Sequence, residues 1–238
     1  MKTELSPFIP SESLLRRVRL FIVRTRWHAG LMEKMIAHAL QRLQEMQFPP
    51  ERVHIFTVSG SFELPHLVGA ILRHYTWKRG FAQVVSVRGP THVQSNLRLP
   101  PFFQGNFDSH LRSEFLLESP GPIAYFQPYE PDSESELPAI LALGCILKGE
   151  TQHNYYLSQA VLQQLCHLNT HGGIPIILGV LTPDTIEQAY ARAHQAASWV
   201  EAAFLSWEAR LELNAVFSLR TAANTESSDS PDKPIAPR

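Results

Sequence analysis

Five short and almost uninterrupted apolar runs constrain this chain more than any other feature. They are Arg17–Arg24 (RVRLFIVR), Val53–Val58 (VHIFTV), Phe81–Val87 (FAQVVSV), Ala139–Leu147 (AILALGCIL) and Ile174–Leu181 (IPIILGVL). Runs this short, rich in β-branched and aliphatic residues, suit strands buried on both faces. Stretches with helical spacing lie between them. Ala29–Met46 places Leu31, Met32, Met35, Ile36, Ala39, Leu40, Leu43 and Met46 on one face, and Pro49 and Pro50 end it. Leu64–Tyr75 carries Pro65 in its first turn, where a missing N–H costs nothing. Gln152–Leu168 aligns Tyr156, Leu157, Ala160, Val161, Leu165 and Leu168, and Gly172-Gly173 stops it. A last helix is expected from Thr182 as N-cap and Pro183 at its first position, continuing to about Leu213 with Tyr190 among its inward residues. Strand–helix alternation with apolar strands predicts an α/β fold: a three-layer αβα sandwich around a parallel sheet.

The texture divides the chain. Residues 1–15 read as a flexible arm and residues 16–215 as a single domain. Within it, residues 88–138 are rich in Pro, Gly, Ser, Asn and Gln without sustained periodicity, and read as an irregular insertion. Residues 216–238 read as a disordered tail, rich in Ser, Asp and Pro from Thr221 onward.

Charge excludes some function classes. With 21 Lys and Arg against 22 Asp and Glu, the net charge is −1. Sequence-independent nucleic-acid binding and a polybasic membrane patch both need an excess of cations that this balance does not supply. No apolar run approaches the roughly 18 residues of a membrane span, and the first twelve residues lack the apolar core of a signal peptide. The expectation is a soluble, cytoplasmic protein. Cys145 and Cys166 are too few for a disulfide scaffold, and their apolar surroundings predict buried thiols.

Parallel sheets bind ligands beyond the carboxyl ends of their strands. Three segments should therefore converge. Thr25-Arg26-Trp27-His28 offers an indole face for a planar ring. Ser59–Pro65 offers backbone N–H groups and the Glu63 carboxylate. Lys148-Gly149-Glu150-Thr151-Gln152-His153 opens a helix, whose unpaired N–H groups and Thr151 hydroxyl suit a phosphate. His153 beside it can exchange protons near neutrality. A metal centre is not expected, because His167 and His171 have no third ligand nearby. Neither a Gly-x-Ser-x-Gly elbow nor a Gly-x-Gly-x-x-Gly loop is present.

In order along the chain, four segments resemble the motifs of the 6,7-dimethyl-8-ribityllumazine synthase family. They are Arg26-Trp27-His28-Ala29, Val58–Pro65 (VSGSFELP), Leu143–His153 (LGCILKGETQH) and Gly173–Thr182 (GIPIILGVLT) with Glu187-Gln188-Ala189 and Arg192-Ala193. Trp27 and Lys148-Gly149 are closest to fungal-like members. The resemblance implies a flavodoxin-like fold and condensation of 5-amino-6-ribitylaminouracil with 3,4-dihydroxy-2-butanone 4-phosphate, in riboflavin biosynthesis, without metal or organic cofactor. It implies that Trp27 stacks on the pyrimidine and that Ser61 and Glu63, beside Phe62, contact the ribityl chain. Cys145, Ile146 and Leu147 would offer backbone to the ring edge. Glu150, Thr151 and Arg192 would hold phosphate, and His153 would shuttle the proton. Leu178 stands where the family often places a Phe from a neighbouring subunit. A homo-oligomer, expected as a pentamer, follows from the same resemblance.

Three departures are visible. Tyr155 replaces the family's usual acidic residue two places after the catalytic His. The polar loop after Arg192 is replaced by His194–Trp199, read as continuous helix. The insertion contains Arg88-Gly89-Pro90-Thr91-His92, an imitation of Lys148–His153; the later copy is preferred because a helix and the Gly-Ile-Pro strand follow it. Tyr155 and the lost loop motivate an alternative, a non-catalytic flavin- or lumazine-binding or structural homo-oligomer of the same fold. An unrelated doubly wound enzyme with converged motifs is a third reading.

Overall fold

The computed structural model describes residues 8–80 and 128–227. The strand expected at Phe81–Val87, the Arg88–His92 imitation and residues 88–127 of the insertion lie outside the described residues. The described elements are α1 (Glu12–Arg17), β1 (Val18–Thr25), α2 (Ala29–Glu45), β2 (Val53–Val58), α3 (Leu64–Gly80), β3 (Leu137–Cys145), α4 (His153–Gly172), β4 (Ile176–Leu181), α5 (Ile186–Arg192) and α6 (Gln195–Ser227).

The strands pair in parallel in the order β2-β1-β3-β4. Ile22 on β1 lies between Ile55 on β2 and Leu141 on β3, which makes β1 and β3 the sheet's interior. All nine residues of β3 are buried, as its continuous apolar run requires. Helices α2 and α6 pack together on one face of the sheet, and α3 and α4 pack on the other. Phe48 and Phe204 meet edge to face at 5.2 Å between α6 and the end of α2. Arg42 ties the same helices by hydrogen-bonding Glu201 at 2.6 Å and the Phe8 carbonyl at 2.7 Å. The three-layer αβα architecture expected from the alternation is the one observed.

The structure also corrects the sequence reading. Residues 12–15 of the presumed arm belong to a helix, α1, which continues to Arg17 and is capped by the Ser11 hydroxyl on the Leu14 N–H and anchored by buried Leu14. Thr182 and Pro183 do not start the next helix. Pro183 is buried, and its carbonyl accepts from the Lys148 N–H at 3.1 Å, which ties this loop to the one after β3. The N-cap is Thr185, whose hydroxyl accepts from the Gln188 N–H. The expected single long helix is broken at Ala193-His194, where three-residue hydrogen bonds from Ala193 to Tyr190 and Ala196 to Ala193 replace the helical pattern. α6 then runs to Ser227, beyond both Leu213 and the expected start of the tail. No proline interrupts it before Pro231.

Other corrections concern burial. Residues 128–138 belong to the packed structure rather than to an irregular bulge: Tyr129 is buried against Trp207, and Leu137 and Pro138 open β3. On α4 only Val161, Leu165 and Gly172 are buried, and Tyr156 is 62% exposed. Tyr190 is 39% exposed. Cys166 lies on the outer, exposed face of α4, unlike buried Cys145.

Candidate active site

Because every strand runs the same way, the segments following Thr25, Val58, Cys145 and Leu181 emerge at one end of the sheet. The chain moves outward from β1 to β2 and then crosses back to β3 on the other side of β1. A crevice forms where that direction reverses. At this place a cavity of ≈ 530 Å³ is lined by Trp27 and His28 after β1, by Gly60, Ser61, Phe62 and Glu63 after β2, and by Cys145, Ile146, Leu147, Gly149, Thr151, His153, Asn154 and Leu157 around the end of β3 and the start of α4. That volume suits a small organic ligand.

The wall after β1 is fixed by backbone. The Arg26 N–H extends the β1–β2 ladder by donating to the Val58 carbonyl at 2.8 Å. Trp27 then stands out from the sheet, 70% exposed. It lies against Gly60; a Cβ there would fall 3.5 Å from the indole Cδ1, in ordinary contact. The Gly60 N–H donates to Glu63 Oε2 at 2.9 Å, which ties the turn after β2. Ser61 is buried below this turn, while Phe62 is 67% exposed at the rim. Gly144 permits the close approach of β3: a Cβ would lie 3.0 Å from Ser61 Oγ and 3.2 Å from Leu64.

On the opposite wall, the Cys145 and Ile146 side chains are buried. Burial pushes the Cys145 thiol up to about 11, so it is protonated at neutral pH. The N-cap residue of α4, Gln152, makes no side-chain cap. The Thr151 hydroxyl accepts from the His153 N–H at 3.4 Å, and the start of this 20-residue helix faces the cavity. The positive end of the helix dipole favours an anion there. No side-chain hydrogen bond joins Tyr155 to His153; the Tyr155 ring meets Tyr156 edge to face at 5.5 Å and is 60% exposed. At the rim, Lys148 pairs with Asp184 at 3.4 Å, both well exposed.

Of the residues singled out in the sequence, Trp27, Ser61, Phe62, Glu63, Cys145, Ile146, Leu147, Thr151 and His153 come together in this cavity. Glu150, Leu178 and Arg192 do not line it. Glu150 is exposed on the loop before α4. Leu178 is 43% exposed on β4, the strand at the sheet's edge. Arg192 Nη1 donates to the carbonyl of Gln188 on its own short helix, at 2.9 Å. His28, Gly60, Gly149, Asn154 and Leu157 were not among the site residues expected from the sequence, although His28, Gly60 and Gly149 lie within the segments expected to converge and Leu157 was aligned on the helix's apolar face. His28 and Asn154 directly adjoin assigned residues, and that adjacency was the available signal.

The family model for 6,7-dimethyl-8-ribityllumazine synthase matches residues 17–90 and 122–210, more than half of the chain. Among curated relatives of that name, the protein from the fungus Pyricularia oryzae is 27% identical over 176 residues, 74% of this chain and 76% of the relative. Those from Porphyromonas gingivalis and Bacteroides fragilis are 43% and 44% identical over 60 and 59 residues. These matches span 37% and 41% of the two bacterial proteins and 25% of this chain in each case.

Proposed function

Since this chain belongs to the 6,7-dimethyl-8-ribityllumazine synthase family, we propose that its cavity condenses 5-amino-6-ribitylaminouracil with 3,4-dihydroxy-2-butanone 4-phosphate, releasing phosphate and water. In this reading the protein is a cytoplasmic enzyme of riboflavin biosynthesis. One observation carries it: Trp27 and the Thr151–His153 segment, far apart in sequence, line a single cavity at the reversal point of the sheet.

Trp27 offers its exposed face to the pyrimidine. Ser61 and Glu63 contact the ribityl chain beside Phe62, and the backbone of Cys145, Ile146 and Leu147 reads the ring edge. Backbone N–H groups at Glu150 and Thr151 hold the phosphate at the start of α4. Fixing both substrates turns a bimolecular encounter into a positioned one; the ceiling of that effect is about 7–11 kcal/mol. His153 moves protons at the reacting carbons, an effect worth about 10²–10⁴-fold. Arg192 and Leu178 do not line the cavity of their own chain. They are assigned to the neighbouring copy's site, in a pentamer whose cavities lie between subunits. An Arg suits phosphate because its guanidinium can donate two parallel hydrogen bonds.

The test is to mix the purified protein with both substrates and follow the lumazine chromophore. Turnover is expected, with His153→Ala lowering kcat by at least about 10²-fold while leaving pyrimidine affinity nearly unchanged. Trp27→Ala should weaken pyrimidine binding first. Tyr155, turned outward where a carboxylate would support an imidazolium, favours one alternative, a binding or structural homo-oligomer without turnover. Tight pyrimidine binding with no product above background selects that alternative.

A further inference from the structure

His28 is held in a backbone conformation that few residues adopt. Its φ of 55° and ψ of 48° are left-handed, and only Gln47 shares a positive φ among the described non-glycine residues. Such conformations cost of order 1–3 kcal/mol and persist where the surroundings enforce them. His28 sits between the last residues of β1 and the first turn of α2, and its carbonyl accepts from the Met32 N–H at 3.0 Å. Its side chain does not cap that helix. His28 lines the same cavity as Trp27 and His153, and its imidazole has no hydrogen-bond partner among the described residues.

We propose that His28 is a second acid–base group of this site, acting at the pyrimidine end while His153 acts at the phosphate end. The proposal rests on the condensation assigned above. The amine first adds to the ketone and gives a carbinolamine. Protonated His28 donates its proton to the carbinolamine hydroxyl. The C–O bond breaks, its electron pair leaves with oxygen as water, and the nitrogen lone pair forms the C=N bond. Neutral His28 then takes the iminium N–H proton, so imine and water are the net products and the imidazolium is restored. The charged and titratable groups around it are Arg26 on its own loop, Glu63, Cys145 and His153 lining the cavity, and Lys34 and Tyr190 beside the first turns of α2.

The experiment compares kcat against pH for the wild type, His28→Asn and His28→Gly. Both replacements accept the left-handed conformation, and thermal melting checks that each variant folds. The alkaline limb of the wild-type profile reports loss of the imidazolium acid. The expected result is a kcat reduced by about 10²-fold, with that limb gone from both variants and retained in His153→Asn. An unchanged kcat overturns the proposal, and so does a reduced kcat with an unaltered pH profile, which would assign His28 a structural role. If the wild type itself makes no lumazine, the underlying reaction is wrong and this step falls with it.

Discussion

The residues at the end of β3 show how one position serves both the core and the cavity. Gly144 leaves room for Ser61, and the next residue, Cys145, is buried at the cavity wall. Burial raises the Cys145 thiol from 9.0 to about 11, so the folded state holds this proton more tightly than the unfolded chain. The resulting contribution to stability is complete below pH 9.0 and is lost as pH rises toward about 11. Urea unfolding across that window should therefore show a declining midpoint, and the decline should be shallower in Cys145→Ala. Tyr75, raised to about 12 by burial and by Glu136, contributes the same sign at higher pH in both proteins. Identical slopes for the two proteins would show that the thiol is not sheltered as described. The neighbouring reactivity follows: exposed Cys166 alkylates before Cys145.

At the scale of elements, what could be read from the sequence tracks local pattern. β1, β2 and β3 announce themselves as apolar runs, and α2 by residues such as Met32, Met35, Ile36 and Ala39, all buried. What could not be read is set by distant contacts. The helix after β4 starts at Thr185 because the loop before it is tied to the Lys148 N–H, across 35 residues of sequence. A local signal was present: Thr185-Ile186-Glu187-Gln188 has capping-box spacing, and the Gln188 side chain reaches back to the Asp184 N–H. The break at Ala193-His194 has no such signal, since neither Gly nor Pro marks it. Gly173 is the clearest junction. Its φ is +65°, and a Cβ would lie 2.5 Å from the Tyr129 backbone nitrogen. It thus joins the end of α4 to the segment that returns from the insertion, where Arg210 hydrogen-bonds the carbonyls of both Gly173 and Tyr129. Gly173→Ala should cost more than about 2 kcal/mol from strain and lost packing. Chemical denaturation measures it, and an unshifted midpoint would mean that Tyr129 packs elsewhere.

Across the whole molecule, the fold brings nine of the twelve site residues expected from the sequence into one cavity and leaves Glu150, Leu178 and Arg192 outside it. The first group follows strand ends that a parallel sheet must bring to one edge, which is why the sequence was enough. Leu178 belongs to β4, on the far side of β3 from β1, and Arg192 to α5, whose Tyr190 reaches the first turns of α2. Neither lines the cavity; the function proposed above gives both to a second copy, and local pattern carries no information about how copies are arranged. The central claim is thus a cavity completed by a neighbour, and mixing two inactive variants tests it most directly. Refolding His153→Ala together with Arg192→Ala at equal amounts should restore activity, because a ring pairs an intact His153 with an intact neighbouring Arg192 at about a quarter of its sites. Mixed assemblies no more active than either variant alone would contradict it.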